Sequence, residues 1–164
     1  MTRFASFLSD RSGAAAVEMV LILPVALALI LTTYEGGYYM ICEHRMVKGV
    51  RDAARYAARL SRSNYACPGG TFSGDATKVK NLTRTGQLSL GKASVPGWGD
   101  DPNDVTITVS CASGQGGIYA ATGGNAPQVK ISTRIVYPSI MGTMGFTSAT
   151  IHIGAAAQSP VIGL

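Results

Sequence analysis

From Met19 to Tyr34 the chain reads Met-Val-Leu-Ile-Leu-Pro-Val-Ala-Leu-Ala-Leu-Ile-Leu-Thr-Thr-Tyr, without one charged residue. Ala14-Ala15-Ala16-Val17 stands in front of it, so residues 14–34 form an apolar segment broken only by Glu18. Twenty-one helical residues span roughly 30 Å, the hydrocarbon thickness of a bilayer. The segment is apolar all the way round, which excludes a one-sided surface helix. A cleaved secretory signal is the competing reading. Its only internal A-x-A, Ala26-Leu27-Ala28, runs into Leu29-Ile30-Leu31, and cutting there would leave a greasy N-terminus. A retained membrane helix is therefore expected.

Two residues go beyond what a plain anchor needs. Pro24 removes a backbone donor inside the span and predicts a kink. Glu18 is an acid within an apolar segment, where it costs up to about 3 kcal/mol at mid-membrane and less near the end. An ionisable residue there points to function when a partner can be named; otherwise it reaches up to the headgroups.

The stretch Arg11-Ser12-Gly13-Ala14-Ala15-Ala16-Val17-Glu18-Met19 resembles the processing site of type IV prepilin-like proteins. With the downstream Leu23-Pro24, Tyr34-Glu35-Gly36-Gly37 and the Ala/Arg-rich stretch at residues 50–59, the chain is similar to the TadE-like family. These are pseudopilins or minor pilins of the tight-adherence (Flp) pilus system. Residues 11–60 carry the resemblance; the following hundred match only in layout. Met19 stands where the family commonly has an aromatic residue.

The resemblance implies a cut between Gly13 and Ala14 by a prepilin peptidase, making Glu18 the fifth residue of the mature chain. Gly13 lacks a Cβ and permits close approach of a peptidase to the backbone. Cleavage would create an ammonium at Ala14. In low dielectric, that charge and a Glu18 carboxylate on a neighbouring helix attract far more strongly than in water. The implied partners are the peptidase, other pilins or pseudopilins, an inner-membrane assembly platform and membrane lipids. The implied location is the inner membrane, single-pass, with the head in the periplasm or carried into an extracellular pilus.

Beyond the span, Arg45, Lys48, Arg51, Arg55, Arg59 and Arg62 recur every three or four residues and project from one side of a helix. Tyr39, Cys42, Met46, Gly49, Ala53, Tyr56 and Leu60 fall on the other side. Residues 38–62 thus read as an amphipathic stem, with Gly36-Gly37 as a hinge. The stripe holds six of the 14 basic residues and accounts for much of the net charge of +5. It is read as a solvated face or as an interface with acidic residues of neighbouring pilins. No aromatic interleaving or nucleic-acid motif accompanies it, so no nucleic-acid partner is expected. Counting Arg and Lys around the span would place the stripe in the cytoplasm, whereas the processing-site resemblance implies the opposite orientation.

The last hundred residues are rich in Gly, Ser, Thr, Asn and Asp. Asp75 caps an expected helix ending at Thr85, with Val79 and Leu82 inward. Strands are expected at residues 105–111, 129–135 and 147–153, the last with Ala149, Ile151 and Ile153 on one side. The Gly-rich residues 113–125 connect the first two. The expected fold is α+β and pilin-like: a long membrane-spanning helix packed on a small, about three-stranded antiparallel sheet, with a loop-rich head. Its divisions are a cleavable leader at 1–13, a span at 14–35, a stem at 36–62 and a head at 63–164.

Cys67 and Cys111 lie in the part placed in the periplasm, where disulfides persist, and are the expected bridge. Cys42 is read as a buried thiol, with Cys42–Cys67 as the alternative pair. No CxxC occurs and His44 and His152 are the only histidines, so no metal is expected. Asp100-Asp101-Pro102-Asn103-Asp104 lacks the calcium-loop pattern and reads as a turn. The Gly-rich stretch at 114–117 fails the dinucleotide pattern, and no cofactor is expected. No nucleophile–base–acid set can be assembled, so an enzyme is not expected. Two functions remain: a structural minor pilin or pseudopilin, or a membrane-tethered or tip-located adhesive module using the Gly/Ser loops.

Overall fold

The computed structural model describes residues 12–99, 101, 104–143, 145 and 151–163. Most of the expected leader lies outside them, as do Asp100, Pro102 and Asn103 of the acidic turn and residues 147–150 of the expected third strand. The chain divides into two compact units, with the boundary between Tyr38 and Tyr39.

The described residues of the first unit form one helical run, the N-terminal part of helix α1 (Ser12–Ala58). Its most apolar window has a mean hydropathy of 2.6 with nothing buried against protein. Val17, Leu21, Ile22, Leu29 and Ile30 all lie open, as lipid-facing side chains require. The two polar residues near its end are satisfied internally: Thr32 Oγ1 donates to the Ala28 carbonyl at 2.7 Å and Thr33 Oγ1 to Leu29 at 2.8 Å. The helix assignment runs without a break through Pro24 and through Gly36-Gly37.

The second unit begins with residues 39–58 of α1. Cys42, Met46, Val50, Ala53 and Ala57 are fully buried, a stripe spaced by three and four residues. Gly49, Ala54 and Ala58 are buried beside them, and these small residues let other backbone approach. At Gly49 the approach is closest: a Cβ there would run into the carbonyl oxygen of Thr83.

Helix α1 stops at Ala58, earlier than the expected stem end at 62. The amides of Arg59 and Leu60 turn back to Tyr56 and Ala57, and further donors come from residues distant in sequence. The amides of Ile162 and Gly163 donate to the Ala58 carbonyl at 2.9 and 3.2 Å, and the Tyr65 hydroxyl donates to the Ala57 carbonyl. These donors satisfy carbonyls that a helix end leaves orphaned. Gly163 passes so close that a Cβ would collide with Leu60 O. Arg59 and Arg62 therefore lie beyond the helix, and Arg62 opens a 3-10 turn (Arg62–Asn64).

A two-residue ladder follows, β1 (Tyr65–Ala66) against β2 (Thr71–Phe72), which the alternation pattern is too short to reveal. Helix α2 (Ala76–Thr85) forms where its end signals stand. The Asp75 side chain accepts from the Lys78 amide at 3.2 Å, and Gly86 closes the helix in the left-handed region at φ 75°. Val79 is fully buried and Leu82 half-buried.

The main sheet is antiparallel in the order β3 (Val105–Ala112), β4 (Ala126–Val136), β5 (His152–Pro160). A 3-10 turn (Gly117–Thr122) lies between β3 and β4, and a short helix α3 (Ile140–Thr143) between β4 and β5. Val129, Ile131, Thr133 and Ile135 of β4, with Val105 and Ile153 beside them, make the buried face. The third strand is displaced from its expected position: it starts at His152, and Ile151 is exposed outside it. Gly154-Ala155-Ala156-Ala157 has little β propensity of its own and becomes strand by pairing with Arg134, Thr133, Ser132 and Ile131 of β4.

Candidate functional site: the membrane-entry segment and the basic stem

Gly13 and Ala14 occupy the first turn of α1, both exposed, and nothing lies within 4 Å of a Cβ built on Gly13. Glu18 stands four residues after Ala14, one turn along the same face, and its side chain is exposed. A terminal ammonium at Ala14 would lie on the carboxylate's side of the helix.

The basic stripe divides in two. Lys48, Arg51, Arg55 and Arg59 are exposed with no ion-pair partner among the described residues. Arg45 and Arg62 instead hold parts of the head. Arg45 Nη1 donates to the Ser94 carbonyl at 3.1 Å. Arg62 donates to Ile118 O at 3.1 Å and stacks over the Tyr119 ring at 4.9 Å, while Tyr119 donates to Val161 O at 2.9 Å. Arg62 thereby ties the Gly-rich loop to the tail that caps the stem. Arg45, Lys48 and Asp52 also line a shallow groove of about 340 Å³ beside Thr83 and Gly86.

Cys67 and Cys111 are joined by a disulfide with Cα atoms 5.8 Å apart, and Cys42 is a buried free cysteine. The bridge fastens the chain after β1 to the end of β3. Among the described residues no group of three His, Cys, Asp or Glu is placed to hold a metal ion.

Tyr65, Asp75 and Asp104 of the second unit titrate away from their ordinary range. Burial, helped by nearby Tyr56, pushes the Tyr65 phenol up to about 12. The Lys78 backbone amide, with the Lys78 ammonium behind it, holds Asp75 below the usual carboxylate range. Burial and then the Asp101 charge raise Asp104, against a smaller opposing pull from Arg84.

Sequence reasoning located the stem face but not its closest contacts. Gly49 reads as one small residue among many, and Tyr65 and Gly163 carry no local signal, because their partners are distant in sequence. The Tyr119 cradle for Arg62 was equally hidden inside a loop that composition marks only as Gly-rich.

The comparisons with known proteins agree with the N-terminal part of this picture. The family model described as TadE-like protein matches residues 13–55. No curated protein matches the chain, and neither does any solved structure. The matched stretch contains Gly13, Ala14, Glu18, the apolar span and the stem to Arg55, while the sheet lies outside it. The chain thus carries a TadE-like segment at residues 13–55, which supports a pilin-like role associated with the Tad pilus and a single membrane-crossing helix.

Proposed function

We propose that this protein is a non-catalytic minor pilin or pseudopilin that helps assemble or stabilise a tight-adherence pilus. The observation that carries the proposal is the TadE-like match over a helix whose lipid-exposed entry holds a single acid, Glu18. In this reading a prepilin peptidase cuts before Ala14. The new ammonium and Glu18 then pair best between neighbouring helices, so each subunit favours a partner in register. The partners are the peptidase, other pilins or pseudopilins of the system, its inner-membrane platform and membrane lipids. The Cys67–Cys111 disulfide supports a head in an oxidising compartment, outside the cytoplasm. The exposed charges of Lys48, Arg51, Arg55 and Arg59 suit acidic side chains on those partners.

Glu18→Ala tests the role of the acid. Processing should continue while co-purification with pilus components falls. Wild-type recovery of those components would contradict the proposal. Deleting the gene should abolish pili; normal pili with lost attachment would favour the adhesive module instead.

A further inference from the structure

Two exposed apolar side chains of the head stand at one end of the sheet, on its two opposite faces. Val136, 53% exposed, ends β4, and Ile151, 46% exposed, stands just before β5. The Tyr137 amide donates to the Ile151 carbonyl at 2.8 Å, which closes this end of the ladder. Helix α3 carries Ile140 and Met141, both half-buried, between the same two strands. Residues 135–151 contain no charged side chain.

This end is also where the chain enters the unit. The Tyr137 ring packs edge-on against Tyr39, centroids 5.1 Å apart, and Tyr39 is the first residue of the unit. The next two residues, Met40 and Ile41, are 62% and 49% exposed. If residues 14–34 fill the hydrocarbon core, Tyr39 follows only five residues later in the chain, next to the headgroup layer. Tyr34, Tyr38 and Tyr39 have the chemistry of an interfacial aromatic belt.

We propose that this end of the head is a second membrane-contact surface, with Met40, Ile41, Val136, Ile140, Met141 and Ile151 seated at the headgroup–acyl boundary. Covalent continuity with the spanning helix brings a bilayer to this end, and the stretch from 135 to 151 carries no charged residue in its sequence. Apolar area beside a bilayer leaves water by dipping into the interface, to a depth of about 5–10 Å. Arg134, exposed two residues before Val136 on the same face of β4, would extend its guanidinium to lipid phosphates. The contact would anchor the head at two points of its chain.

Nitroxide labels on the full chain in nanodiscs of phosphatidylethanolamine and phosphatidylglycerol test this. The labels go on Val136→Cys and Ile151→Cys, with Ile30→Cys as a lipid reference and Lys130→Cys as a reference farther along β4. All four positions are exposed, so labelling leaves the core intact, and the fully buried Cys42 stays unlabelled. Collision with oxygen relative to a water-soluble nickel chelate should rise at 136 and 151 above the value at 130, toward that at 30. Values at 136 and 151 equal to that at 130 would overturn the proposal. So would shielding from both reagents, which means a protein covers the surface. A water-like value at 30 would remove the spanning helix and the proposal together.

Discussion

The two units are held by different forces. In residues 13–34 no side chain is buried, and the helix is specified by apolar composition and internal hydrogen bonds. In residues 39–164 specification comes from distant contacts: a disulfide, a tail that caps the stem and a glycine under a crossing backbone. The helix of the first unit therefore tolerates exchange of one apolar side chain for another but is committed to one solvent. The second is tolerant of solvent but sensitive to single atoms.

That contrast breaks most visibly at the disulfide. Replacing Cys67 and Cys111 by Ser frees a loop of sequence separation 44, and chain entropy puts the loss near ~4 kcal/mol. Thermal melts of the head should fall sharply while membrane integration of the span is unchanged. Next is Gly49→Leu, which drives a side chain into the Thr83 carbonyl and should cost about 3 kcal/mol. Denaturant titration followed by near-ultraviolet dichroism would register it. The same substitution at Gly37, with nothing within 4 Å, should leave the head's midpoint where it was.

Tyr65→Phe removes the hydroxyl donor to Ala57 and should cost about 1 kcal/mol. In the parent, the folded phenol ionises near 12 and the unfolded one near its ordinary value of 10.0. The unfolded chain then holds fewer protons between those values, so stability falls as pH climbs through that window. The phenylalanine variant should lose that part of the alkaline decline, as melts from pH 9 to 12 would register. The smallest effect is at the exposed cap. Asp75 is held below its ordinary range, so its contribution is present above the unfolded value and fades as pH falls through the folded one. Asp75→Ala should flatten that acid limb and little else. Glu18→Ala should move none of these head measurements, since its proposed partners are other chains.

Legibility in the sequence follows the same division. The span, the buried side of the stem and helix α2 were readable because periodicity, Asp75 and Gly86 are local signals. The displaced β5 was not, because Gly154-Ala155-Ala156-Ala157 is strand only by virtue of β4. The stem's end at Ala58 was hidden for the same reason: its caps are Ile162 and Gly163. Of the candidate site, Gly13, Ala14 and Glu18 stand out by position alone, whereas Arg45 and Arg62 changed character once Ser94 and Tyr119 came beside them.

The central claim is that the N-terminal unit is a processed assembly element and not a plain anchor. Intact-mass measurement of the chain recovered from its native membrane tests it most directly. The account predicts a mature chain beginning at Ala14, shorter by residues 1–13. A chain that retains Met1 or its leader, in cells that make pili, would contradict it.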